Sequence, residues 1–139
     1  MALNGTWYNE LGSCMTLTEN GNSVTGTYQT VVGDAEGTYD LIGRTDTDND
    51  SSQAIGFVVV WQNQYGSSDS VTTWSGQYQI IDGVEIIVAT WLLTQETSPD
   101  DDWASTLINK DIFTRTTPNE EKIQEHIKKG AKPSHPKRK

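Results

Sequence analysis

Residues 1–117 alternate: apolar and polar side chains exchange places at every second position, and no stretch before residue 118 carries a long helical period. The runs are "GTWYNEL", "CMTLT", "VTGTYQT", "TYDLIGRT", "IGFVVVWQN", "SVTTWSGQYQI", "VEIIVATWLL" and "LINKDIFTR". Between them stand turn signals such as "ENGN" and "DTDNDSS". Joining parallel neighbours takes a crossover of a dozen or more residues, usually a helix, and none is available. The eight runs must therefore pair antiparallel in chain order. Curling such a sheet until its first and last strands meet removes the exposed edges. The predicted fold is all-β: an eight-stranded antiparallel up-and-down β-barrel over residues 1–117, with a C-terminal extension over 118–139.

The extension has a different character. "TPNEEKIQEHIKKG" has a proline start, early acids, later lysines and a glycine stop, which together predict a short helix over 119–129. Ile123 and Ile127 are spaced to dock it loosely. The remainder, "AKPSHPKRK", is expected to be a disordered basic tail. Charge divides at the same place. Residues 1–117 hold Arg44, Lys110 and Arg115 against sixteen acids, whereas 118–139 hold seven Lys or Arg against three. An acidic body argues against nucleic acid or an anionic membrane as partner, and the tail reads as a solubilising segment that can fold against it.

Two strands are apolar on both faces. Phe57, Val59 and Trp61 share one face of their strand, and Val58 and Val60 the other. Ala89, Trp91 and Leu93 face one way from theirs, and Val84, Ile86, Val88 and Leu92 the other. One face of a barrel strand meets the core. The second needs a cover, and self-association is the simplest one. Cys14 is the single cysteine, so no intrachain disulfide can form. The start has no apolar h-region, so the chain reads as cytosolic or as a mature form relieved of its signal. The sequons at Asn4 and Asn49 are read as chance occurrences in an Asn- and Thr-rich chain.

The strand "VTTWSGQYQI" turns Trp74 inward beside Thr72, where a plain core would place Val or Leu. The other inward positions near the strand ends repeat the theme. Asn9, Ser13, Tyr28, Thr30, Ser70, Thr72 and Asp111 converge with Trp61, Trp74 and Trp91. Burying so many polar groups without partners is costly, so a small-molecule cavity is expected at the barrel mouth.

The segments "GTWYNELGS", "TGTY", "TTWSGQY", "WLL" and "W-x-STL…D-x-FT" resemble the biotin-binding avidin and streptavidin family, in the same order over nearly all of residues 5–116. The short basic helix at the end is most similar to the fungal avidins. The resemblance implies that Asn9, Ser13 and Tyr28 serve the ureido oxygen of biotin, and Thr30 and Asp111 its two N–H groups. Thr72 would face the thioether and Ser70 the carboxylate. Leu11, Val32, Trp61, Trp74, Trp91 and Leu93 would form an apolar box. Trp103 would be lent to a neighbouring subunit of a homotetramer. The loop over residues 30–37 would act as a lid, its Asp34 meeting the ligand carboxylate. Asp34, Ser68 and Gln95 depart from common residues of the family at that end.

No cofactor, metal site or catalytic residue is expected. His126 and His135 lie outside the barrel, Cys14 has no histidine near it, and Asp111 lacks a carboxylate partner on the inward faces. The alternative is a carbohydrate-binding module using the same Trp-lined mouth.

Overall fold

A computed structural model of the chain describes residues 2–30, 37–46 and 52–136. The strands are β1 (Gly5–Tyr8), β2 (Cys14–Asn20), β3 (Ser23–Gln29), β4 (Tyr39–Thr45), β5 (Ser52–Asn63), β6 (Gly66–Ile81), β7 (Val84–Gln95) and β8 (Thr106–Phe113). They form one eight-stranded sheet in chain order, with every neighbouring pair antiparallel. The sheet curls until its ends meet: Tyr8 and Thr114 exchange both backbone hydrogen bonds, each 2.8 Å. The barrel read from the alternation is the barrel observed.

The alternation also decides what fills it. Leu17, Val24, Leu41, Phe57, Val59, Tyr78, Ile87 and Phe113 are buried on the inward face. At the end where β1 begins, Trp7 Nε1 donates to Leu3 O at 2.9 Å, and the Arg115 guanidinium lies 3.7 Å above the Trp7 ring. Gln53 Nε2 donates to Glu19 Oε2 at 2.9 Å, while Leu3 N donates to Glu19 Oε1 at 3.2 Å. Apolar and polar residues thus stopper that end, which leaves the opposite end as the mouth.

A Cβ on Gly76 would run into Val88 O and Ala89 of β7. Gly76 allows the close approach of β6 to β7.

The helix α1 spans Glu120–Lys128, with Asn119 as N-cap accepting from Lys122 N at 2.8 Å. Ile123 is half-buried beside Gly12, while Ile127 remains exposed. Beyond it, Gly130 takes φ +95 and Ala131 N donates to His126 O at 3.0 Å, turning the chain back toward the barrel. Residues 131–136 depart from the expected disorder, for Ser134 is 0% exposed. The reason is polar contact within the mouth, given below.

Candidate functional site in the barrel mouth

β1 ends at Tyr8, and the five residues that follow form a tight turn rather than more strand. Asn9 organises it. Asn9 Oδ1 accepts from the backbone N–H groups of Leu11 and Ser13, both at 3.0 Å, and Asn9 N donates to Ser13 O at 2.9 Å. With its oxygen committed to the backbone, the Asn9 amide keeps Nδ2 as a donor into the barrel, where it reaches Tyr28 Oη at 3.4 Å. The same turn buries Leu11 and Ser13.

The strands supply the rest. Tyr28 comes from β3, Trp61 from β5, Ser70, Thr72 and Trp74 from β6, Trp91 and Leu93 from β7, and Asp111 from β8; all are buried. The rings interlock. Tyr28 meets Trp61 edge-on at 5.5 Å and Trp74 at 5.3 Å, and Phe57 stacks on Trp74 at 4.8 Å. Trp61 Nε1 donates to Thr72 Oγ1 at 2.8 Å, and Trp74 Nε1 donates to Asp111 Oδ2 at 2.9 Å. The indoles thus aim the polar groups beside them as well as forming walls.

Several polar atoms of this cluster remain orphaned. Ser13 Oγ, Thr30 Oγ1, Ser70 Oγ, Trp91 Nε1 and Asp111 Oδ1 are buried without a hydrogen-bond partner among the described residues. Native proteins rarely leave such groups unpaired, and here five of them belong to one buried cluster.

One further member was missed from sequence. Asp111 does have a carboxylate neighbour: Glu10, carried into the mouth by the Asn9 turn. Continuing the β1 alternation would have sent Glu10 outward, but the strand has already ended. Burial, followed by the charge of Asp111, pushes the Glu10 carboxyl up to about 9. Burial also raises Asp111, and the hydrogen bond from the Trp74 indole to Oδ2 offsets part of that rise. With its value at about 9, Glu10 keeps its proton at neutral pH, and Asp111 Oδ2 accepts from the Trp74 indole. Burial, with the nearby Asp111 charge, raises the Tyr28 phenol well above its ordinary value, so it stays a donor.

The other expected residues fall outside this cluster. Val32 and Asp34 lie outside the described residues, as does most of the loop at 30–37. Trp103 sits in a 3-10 turn, Pro99–Ala104, and is 99% exposed among the described residues. Ser68 is exposed, and Gln95 is half-buried with its backbone N–H on Ser105 O at 2.8 Å.

This frame has relatives. A sequence model of the avidin family matches residues 1–116. The chain belongs to the avidin family. Avidin of Gallus gallus is 35% identical over 122 residues, which cover 82% of this chain and 78% of that protein. Avidin-related protein 4/5 of the same organism is 33% identical over 126 residues, 86% of this chain and 81% of the relative. Afifavidin of Afifella pfennigii is 36% identical over 104 residues, 70% of this chain and 60% of the relative. The avidin family is a family of biotin-binding proteins, non-enzymatic, without a cofactor and typically tetrameric. No helix among the described residues is long and apolar enough to cross a membrane.

Proposed function

We propose that the chain holds one biotin in the barrel mouth and that its orphaned polar atoms are the ligand's partners. In this reading Asn9 Nδ2, Ser13 Oγ and Tyr28 Oη donate to the ureido oxygen, as an oxyanion hole would. Thr30 Oγ1 and Asp111 accept from the two ureido N–H groups. Thr72 faces the thioether, while Ser70 and the Asp34 backbone serve the carboxylate. Trp61, Trp74 and Trp91, with Leu11, Val32 and Leu93, wall the ring and chain. The carrying observation is the set of buried, unpartnered atoms on Ser13, Thr30, Ser70, Trp91 and Asp111. A urea offers one acceptor and two donors, and this set answers both. The sugar alternative draws no support, since Trp61, Trp74 and Trp91 are all buried and offer no open stacking platform.

The same reading makes the protein a homotetramer in which Trp103 closes a neighbour's mouth. Ile42, Val60, Val84, Leu92, Leu107 and Ile108 are exposed on the outer wall, and Ile42 and Val60 share a shallow groove there. We assign the molecule a role in withdrawing free biotin from competing organisms.

The test is Asp111→Ala, titrated with biotin and with an apolar dye that fills the same cavity. Biotin affinity should fall by about 10- to 100-fold, because a buried N–H loses its carboxyl acceptor, and dye affinity should change far less. Equal losses would contradict the ureido assignment.

A further inference from the structure

A biotin site has no need of a segment from its own chain, yet Ser134 sits inside this one. Its hydroxyl lies 3.2 Å from Tyr28 Oη, across a sequence separation of 106 residues. Its carbonyl accepts from Thr72 Oγ1 at 2.6 Å. Thr72 already receives the Trp61 indole N–H at 2.8 Å, so Ser134 completes its hydrogen bonding. The next residue, His135, sets its ring edge-on to Trp61 at 6.4 Å. We propose that residues 133–135, Pro-Ser-His, are a tethered peptide ligand of the mouth, so that the pocket accepts a second chemical class in competition with biotin. The competition rests on the biotin reading above; the peptide contact does not.

Three observations support a built interaction. The partners of Ser134 are Tyr28 and Thr72, two of the residues assigned to biotin, so the ligand and the peptide exclude each other. The connector is shaped for the return: α1 is anchored by Ile123 against the Asn9 turn, and Gly130 at φ +95 reverses the chain after the helix. Charge assists as well. The extension over 118–139 carries seven of the chain's ten Lys and Arg, and residues 1–117 carry sixteen of its nineteen acids.

The fit is also incomplete, and that incompleteness makes the peptide displaceable. With Ser134 in place, Ser13 Oγ, Thr30 Oγ1, Ser70 Oγ, Trp91 Nε1 and Asp111 Oδ1 still lack hydrogen-bond partners among the described residues. A ligand that satisfies them binds more tightly and displaces the tail. Until then the tail divides the chains into blocked and open populations, and the apparent association rate is the intrinsic rate multiplied by the open fraction. The polar mouth is meanwhile partly satisfied in the absence of ligand.

The test uses the intact chain and Ser134→Glu, which places a second acid beside Asp111 and expels the tail without touching the barrel. The Ser134 amide should be rigid in the free chain by 15N relaxation, with an order parameter near ~0.85, falling below ~0.6 once one biotin per chain is added. By stopped-flow tryptophan fluorescence, S134E should take up biotin about 10-fold faster or more. The synthetic peptide GAKPSHPKRK, added at roughly millimolar concentration to match a tethered segment, should slow S134E again. A mobile Ser134 in the free chain would overturn the proposal, as would equal rates with no peptide effect. If neither chain responds to biotin, the biotin reading fails, and a rigid Ser134 with peptide-induced fluorescence change in S134E still upholds the peptide site.

Discussion

Glu10 and Asp111 show how much chemistry hangs on one turn. Two carboxyl groups in one dry mouth cannot both ionise cheaply, and burial with the neighbouring Asp111 keeps Glu10 protonated. Glu10 binds its proton more tightly folded than unfolded. Its contribution to stability is therefore fully present below the unfolded value of 4.5 and is lost as pH rises through about 9. Glu10→Gln should flatten that loss, and urea melts at pH 6 and pH 10 will measure it. A decline as steep in the variant as in the parent would place the effect elsewhere. Asp111 was legible in the sequence because it keeps the β8 alternation. Glu10 was not, because parity stops carrying information where a strand ends. Ser134 was hidden differently: a small neutral residue in a basic block gives no sign of a partner 106 residues away.

At the scale of elements, period-two patterning and turn residues were enough to place all eight strands, since antiparallel hairpins need no information beyond the neighbouring run. The close approaches were not readable. Nothing in the alternation of β6 shows that Val88 O of β7 lies against Gly76. Gly76→Ala should cost about 1–3 kcal/mol, seen as a lower thermal midpoint, because the methyl group must push β7 aside. The helix was readable from its caps, and its separate standing can be checked. Asn119→Ala removes the bond to Lys122 N and should cost α1 about 1 kcal/mol. Hydrogen exchange should quicken over Glu120–Lys128 while barrel amides keep their protection. Equal quickening throughout would mean that helix and barrel open as one unit.

For the whole molecule, the double apolar faces of β5 and β7 already called for a cover, and the exposure of Val60, Val84 and Leu92 agrees with that need. A sequence cannot say which copy supplies it. Sedimentation at micromolar concentration should give a tetramer. Trp103→Ala should keep that assembly while releasing biotin at least about 10-fold faster, as the loss of a buried aromatic anchor implies. A monomer would remove both the tetramer and the shared Trp103. The acidic barrel and its basic tail then make a molecule whose mouth is occupied in turn by its own peptide and by its ligand. The central claim is that this mouth is a biotin site, and the most direct measurement is calorimetric titration of the intact chain and S134E with biotin. The account predicts saturation at one biotin per chain in both proteins. Folded barrels giving no binding heat in either, S134E included, across several temperatures would contradict it.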